Sequence, residues 1–501
     1  MLHKMLLPLA LLLAGTAVPG AGIDNSDLIP AILPDSEVRL EAVPGRSPAS
    51  PDWVKSLIIV EVNVETASPT GNFSGMEKVL DHLAETGVNG IWLTPINEGV
   101  QYGNNGVHTL NRALTNRDKA EERWAVVKQF VDAAHRRNIR VFVDVVSWGV
   151  TKTAPLYKEK PEWFSGPAHP AWQGWDWNWK NPELNEWFAS RLVDFILLTG
   201  ADGFRADCAP FSAGYGPYRT ARERLLSFGR KIILFGENGS TREKTFDFDQ
   251  NAFMLPHKKP RMRGDVFMEK NIVDMIKNGE ELGWFDGRGA FSENGGNERF
   301  YALTLSSHDS AHSDKRGYTA AGNPITFGYG MIFAPFIPIW YIGEEWNNPY
   351  SRQIPSYWLW ANRIDWRKRE ENRDFYELVK RMIRIRRQYP EIFEEFPASH
   401  RNANILKVQT NHPELLWAYA RYRNRSAIFV VPNNGTETAK FRITIPYRET
   451  GIGDTDVTVT DLLNEKQLDS GRPEAIDAEI PAGMLGVYLV TMQPEAAKVS
   501  S

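Results

Sequence analysis

The sequence predicts a (β/α)8 barrel followed by an antiparallel β-domain, on three observations. Five short apolar runs share one layout: GIWLTPI, RVFVDVV, GADGFRADC, IILFGEN and ALTLSSHD. The last four carry charged groups at their ends: Asp144, then Arg205 with Asp207, then Glu237, then His308 with Asp309. Apolar runs of this length read as strands buried on both faces. Charged groups at the C-terminal ends of such strands are where a barrel keeps its chemistry. Amphipathic stretches at 76–86 and 124–137 lie between the runs and complete a βα period. Beyond residue 396 that period gives way to short alternating runs with no helices between them.

Taken in order, residues 1–22 read as a secretory signal peptide: Lys4 precedes an apolar stretch at 5–13, and small residues follow through Ala17, Gly20, Ala21 and Gly22. The apolar run is too short to span a bilayer, and no later stretch is long enough, so the expected location is secreted or periplasmic, with no membrane span. Residues 23–51, rich in Pro and Ser, read as a linker. The barrel is placed at 52–395, with strands at 57–62, 90–95, 141–146, 203–207, 232–237, 301–306 and 337–342 and an indistinct sixth strand within 245–255. An inserted subdomain at 147–182, after the third strand, holds Trp163, Trp172, Trp175, Trp177 and Trp179. It reads equally as a substrate wall at the C-terminal face or as a unit with its own aromatic core. A helix at 372–387 ends before Tyr389-Pro390, and residues 396–495 read as an antiparallel β-sandwich built from LLWAYARY, AIFVVPN, KFRITIP, VTVTDLL and GVYLVTM.

Composition narrows the functional classes. The 501 residues are 42% hydrophobic and 24% charged, as in a folded globular protein. A formal net charge of −4 is small for this length and argues against a nucleic-acid partner. Cys208 is the one cysteine, which excludes an internal disulfide. The 17 Trp and 16 Tyr offer flat faces that stack on sugar rings, although large cores use them too. No motif speaks to oligomeric state.

The charged strand ends, read as GFRAD, FGEN and SSHD, resemble three of the four short regions of the α-amylase family of glycoside hydrolases, family 13. The segments YIGEEW, RIDW and RMIRIRRQYP resemble its later landmarks. The resemblance implies that Asp207 is the catalytic nucleophile with Arg205 beside it, that Glu237 is the general acid/base, and that His308-Asp309 stabilises the transition state. The first region departs from the family. Where the family reads Asp-x-Val-x-Asn-His, this chain has Asp144-Val145-Val146-Ser147-Trp148-Gly149. The aspartate is kept, but Trp148 and Gly149 replace an Asn that in many members helps bind a structural calcium and a His that touches the sugar. No metal ligand and no cofactor are therefore expected, and structural calcium by that route is not. Tyr102 falls where the family places a tyrosine platform, and His108 is a candidate substitute for the missing His.

Breaking a glycosidic bond passes through an oxocarbenium-like transition state handled by two carboxyl groups in different protonation states. Arg205, two residues before Asp207 on one strand, shares its face and is expected to keep it ionised. Glu237 is expected to start protonated, its pKa raised by neighbouring charge or burial. A retaining mechanism calls for about 5–5.5 Å between these carboxyl groups. Each acid also has a plainer explanation, since an Asp after a strand is a common helix N-cap. The combined expectation is a secreted retaining glycoside hydrolase acting on α-glycosidic bonds of an α-glucan or oligosaccharide through a covalent glycosyl-enzyme. The alternatives are a transglycosylase of the same family and a non-catalytic carbohydrate-binding relative.

Overall fold

A computed structural model describes residues 50–100, 102–167, 174–208, 215–237, 245–249, 301–308, 324–328, 331–332, 336–348, 363–394, 404–415 and 418–493. The expected signal peptide, nearly all of the linker, Trp172 and Asp309 lie outside them.

Eight strands line up as β1 Ile59–Val62, β2 Gly90–Leu93, β3 Arg140–Val146, β4 Gly203–Asp207, β5 Ile233–Gly236, β6 Phe248–Asp249, β7 Tyr301–Thr304 and β8 Phe336–Tyr341. They form one sheet in the order β6-β5-β4-β3-β2-β1-β8-β7, parallel throughout. Apart from β6 and β7, which stand at the two ends of the sheet, chain neighbours are sheet neighbours, and β8 returns to pair with β1, which is the winding of a (β/α)8 barrel. The first strand is shorter than the sequence reading, because Asp52–Ser56 coils into a 3-10 helix and pairing starts only at Ile59. The indistinct sixth strand is real but two residues long, Phe248 and Asp249 pairing with Phe235 and Gly236.

Helices α1 Met76–Thr86, α2 Ala120–His135, α3 Pro182–Thr199 and α4 Tyr215–Ser227 follow strands β1 to β4 or their insertions. α1 presents Met76, Val79, Leu80 and Leu83 to the barrel and stops at Gly87, whose φ of +91° suits a residue without Cβ. α2 begins four residues before the predicted start, with Glu121 and Glu122 in its first turn, where the N-terminal helix dipole favours them.

Strand alternation sorts the side chains. Outward positions such as Val60, Ile91, Val141, Val143 and Phe204 join the layer shared with the helices. Inward positions Ile59, Trp92, Phe142, Ile233, Phe235, Phe248, Ala302, Ile337 and Ile339 fill the barrel. This interior plug is apolar, so polar inward residues are confined to the C-terminal rim.

The insertion after β3 folds as three antiparallel strands, Gly149–Thr151, Phe164–Pro167 and Gly174–Trp177. Trp163, Trp177 and Trp179 are buried, and Trp177 packs against Trp187 and Phe188 of α3. For these three tryptophans the substrate-wall reading is thus replaced by an aromatic core that seats the insertion on α3. Trp175 stacks on Tyr157 at 4.2 Å between centroids.

Helix α5, Arg373–Gln388, buries Leu378, Val379, Met382, Ile383 and Ile385 and leads to the C-terminal unit. There β9 Ile405–Lys407, β10 Tyr419–Arg423, β11 Ser426–Pro432, β12 Ala439–Thr444, β13 Val457–Asp461, β14 Lys466–Gly471, β15 Ala475–Ile480 and β16 Leu485–Met492 form two antiparallel sheets. One has the order β9-β10-β11-β16-β13-β14 and the other is the pair β12-β15. Phe429, Phe441, Ile443, Val459, Ile476 and Val490 fill the space between them. Tyr419, Ile428, Leu485 and Val487, on the opposite side of the large sheet, join the barrel's outer core.

Gly149 sits where the insertion strand leaves β3, and a Cβ there would lie 1.9 Å from the carbonyl oxygen of Trp175. Backbone would have to move to relieve that clash. Gly149→Ala is expected to cost about 2–4 kcal/mol of stability, read as a lower midpoint in thermal unfolding; an unchanged midpoint would mean that the insertion does not need this strand pairing.

Candidate active site

The C-terminal rim gathers four inward groups. Asp144 on β3 stands in register with Arg205 on β4, and Val146 with Asp207, so Asp144, Arg205 and Asp207 share one face through the two-residue period. Glu237 follows β5, the strand paired to β4 on its other side. Arg205 is buried at the centre. Its Nη1 lies 3.1 Å from both Asp144 oxygens and 2.8 Å from Asp207 Oδ1, while Nη2 is 3.3 Å from Glu237 Oε2. One guanidinium therefore bridges three carboxylates. An oxygen of Asp207 and one of Glu237 lie within 4.8 Å of each other.

The strand exit reinforces this grouping. Cys208 takes a left-handed φ of +54°, uncommon for a residue with a Cβ, and its N–H donates to Glu237 Oε2 at 2.7 Å. Burial, with the charges of Asp207 and Glu237 added, pushes the Cys208 thiol far up, so it stays protonated and is no nucleophile. Tyr102 lies beside this cluster: its hydroxyl donates to Asp144 Oδ2 at 2.6 Å, and its ring stacks on His308 at 4.6 Å and 17°. The backbone of His108 lies in the strand Gly103–Leu110, and its side chain, like Asp309, is outside the described residues.

The expected electrostatics need one correction. Arg205 does not hold Asp207 in the ordinary carboxylate range. Burial pushes Asp207 up to about 8, and the charges of Glu237 and Asp144 add to that rise against the pull of Arg205. Asp144 moves the same way, raised by burial against Arg205 and the Tyr102 hydrogen bond. Among the described residues one full positive charge serves three acids, and desolvation outweighs it. The cluster consequently keeps a proton near neutral pH, shared between coupled groups.

Two further residues belong to the site and were not read from the sequence. Glu61 on β1 is fully buried and accepts the backbone N–H of His308 at 3.1 Å, with its other oxygen on the His308 ring Nδ1. Trp92 on β2 donates its indole N–H to Asp144 Oδ2 at 3.2 Å, and Arg205 lies 5.1 Å over its ring. The available signal for Glu61 was a single acid inside the apolar run IIVEV. For Trp92 a bulky aromatic in GIWL looks like any core residue.

Trp148 is buried beside Tyr102 and Val146, and its indole N–H donates to the Tyr102 carbonyl at 3.2 Å. An indole offers a donor and no lone pair for a cation. The residue present at this position does not fit the structural calcium that the family resemblance implies. Among the described residues, the one grouping with the spacing of metal ligands is Asp207, Cys208 and Glu237, which are the site itself.

A parallel eight-stranded barrel with an acid cluster at its C-terminal strand ends is the architecture of a barrel enzyme. No family model matches the chain. The trehalose synthase/amylase of Mycobacterium tuberculosis is 25% identical over 210 residues, which cover 33% of this chain and 34% of that protein, so the chain spans about a third of this relative. The cyclomaltodextrinase of a Bacillus species is 22% identical over 447 residues, 77% of this chain and 74% of that one. Among solved structures, the noncanonic maltogenic α-amylase of Thermotoga neapolitana superposes with a TM-score of 0.66 at 17% identity, over 88% of this chain and 100% of that one. An α-amylase from Geobacillus thermoleovorans gives 0.65 at 16% identity, over 88% and 99%. The homologues and structural neighbours of this chain are α-amylase-family glycoside hydrolases.

The raised Asp207 makes a stability statement with a definite sign. Its folded-state pKa of about 8 lies above the ordinary aspartate value of about 3.9, so between these values the folded chain holds a proton that the unfolded chain has released. Stability from this group is full below about pH 4 and is lost as pH rises through about 8. Asp207→Asn, which cannot ionise, should raise the melting midpoint on the order of a few °C at pH 8, with the gain shrinking toward pH 4. A gain equal at both pH values would show that the carboxyl is not the cause.

Proposed function

We propose that the chain is a secreted retaining glycoside hydrolase that cleaves α-glycosidic bonds in an α-glucan or oligosaccharide. The observation that carries this reading is the Asp207–Glu237 pair, with oxygens within 4.8 Å of each other and bridged by the buried Arg205. Oxygens this close support the spacing of about 5–5.5 Å between carboxyl groups that a retaining mechanism calls for. The relatives, a cyclomaltodextrinase and a maltogenic amylase among them, supply the α-glucan class.

Asp207, ionised, attacks the anomeric carbon while Glu237 delivers a proton to the leaving oxygen, so the glycosidic bond breaks as an ester bond to Asp207 forms. Glu237, now ionised, takes a proton from water, whose oxygen attacks the same carbon and releases Asp207. The proton retained by the cluster supplies the first step. What favours ionised Asp207 as the proton passes to Glu237 is the closer Arg205 contact, 2.8 Å to Asp207 against 3.3 Å to Glu237. Tyr102, His308 and Asp309 would form the floor and hydroxyl contacts of the sugar at the cleavage point. A scaffold without chemistry would have no use for an acid whose ionisation destabilises the fold.

Glu237→Gln should lower turnover of maltooligosaccharides and α-glucans about 10²–10⁴-fold, the range expected for loss of a general acid. The product formed by the wild type should keep the α-anomeric configuration by NMR. Equal rates from both proteins, or an inverted product, would refute the assignment. Export is proposed from Lys4 and the apolar stretch after it. N-terminal sequencing of the protein from its source should begin near residue 23, and an intact Met1 would contradict export by cleavage.

A further inference from the structure

Glu61 is a carboxylate without exposed surface, one residue from the C-terminal end of the first barrel strand. Its neighbours Val60 and Val62 face the outer core, and the inward residue before it, Ile59, belongs to the apolar plug. An acid in such a place is destabilising unless a partner compensates it, and a well-packed apolar residue of similar volume would serve stability at least as well. Burial raises its pKa, against the opposing pull of His308 and Arg205.

Both of its oxygens face a single residue. Oε2 accepts the His308 backbone N–H at 3.1 Å, and Oε1 bonds His308 Nδ1. β8 lies between β1 and β7 in the sheet, so this bond does not come from the strand ladder; it reaches across to the segment following β7, 247 positions along the chain. The grip on backbone and ring together fixes where His308 sits and how its ring is turned. The opposite contact is Tyr102, stacked on the imidazole, whose hydroxyl is held by Asp144, which is in turn held by Arg205. Trp148 pins the Tyr102 carbonyl from behind. Glu61 is the end member of a continuous line of contacts that reaches Asp207.

We propose that Glu61 is a positioning residue of the glycosidase reaction. By clamping the backbone and Nδ1 of His308, it sets the tautomer and angle at which Nε2, on the far side of the ring, is offered to the hydroxyls of the sugar being cleaved. This rests on the reading given under Proposed function. The clamp acts on turnover rather than on substrate capture, because a histidine rotated by a few degrees still touches the bound sugar but no longer matches the transition state.

Glu61→Gln keeps the volume and the backbone contact while removing the charged acceptor from Nδ1. It should lower kcat roughly 10- to 100-fold, by analogy with the loss of groups that orient metal-ligating histidines, with KM changed by no more than about threefold. In a His308→Gln background the same substitution should cost nothing further, because the group it orients is gone. Losses that multiply, a loss confined to KM, or full activity in the single variant would each overturn the proposal. A second readout needs no turnover: in protein labelled with 15N-histidine, the wild type should show a hydrogen-bonded proton on His308 Nδ1 that is absent from Glu61→Gln. If that proton is missing in the wild type, the clamp is refuted. If the wild type turns over no glycan yet shows the proton, the hydrolase reading fails and the clamp stands as geometry.

Discussion

The rim of this barrel is organised by one guanidinium. Arg205 reaches Asp144, Asp207 and Glu237 from three consecutive strand positions around the barrel, and no other described cation touches all three. Arginine suits the task because its charge is permanent and its donors form a planar fork that meets several oxygens at once. Without it, three buried acids would face one another across a few ångströms, and their ionised forms would be strongly disfavoured. Even with it, desolvation leaves Asp207 well above the carboxylate range. The site is held together by a charge too small to satisfy it, and that imbalance keeps a proton available for chemistry.

A second aspartate at the other end of β4 shows what a satisfied acid looks like in the same barrel. Asp202 is as buried as Asp207, and burial alone would raise it. The neighbouring charges of His135 and Arg140, with the His135 hydrogen bond, instead hold it well below the usual range, and it also accepts the Val141 N–H at 2.8 Å. The direction of the shift separates the roles: the N-terminal acid adds to stability, whereas the C-terminal acid subtracts from it. This is the division of a barrel into a stability face and a catalytic face, expressed in two residues five positions apart.

The altered first region has a structural rationale as well as a functional one. Trp148 fills space beside Tyr102 and ties down its carbonyl. Gly149 admits the strand Gly174–Trp177 at a distance that no side chain tolerates. The two substitutions act together, one tightening the tyrosine and the other docking the aromatic insertion directly onto the end of β3. The wall of the site near Asp144 is consequently built from indole and backbone.

Much of this was legible along the chain. Short apolar runs marked seven of the eight strands, and Asp144, Arg205, Asp207 and Glu237 each stood at a run's end, because strand alternation and burial are local patterns. The sixth strand was placed only within 245–255 because two paired residues leave no periodicity, and Glu61 escaped because one acid in an apolar run carries no sign of its partner. The insertion's tryptophans were ambiguous for a related reason: an aromatic suits a sugar or a core equally well, and the packing of Trp177 on Trp187 and Phe188 settles which. By itself the sequence determined the barrel, the C-terminal β-unit and that Asp144, Asp207 and Glu237 come at strand ends, since these follow from period and composition. Only the tertiary structure decided that one arginine serves three acids, that Asp207 is therefore raised rather than lowered, and that Glu61 grips His308. Those outcomes depend on distances between strands far apart in sequence and on how much water the packed barrel interior excludes, and neither quantity is written in local order.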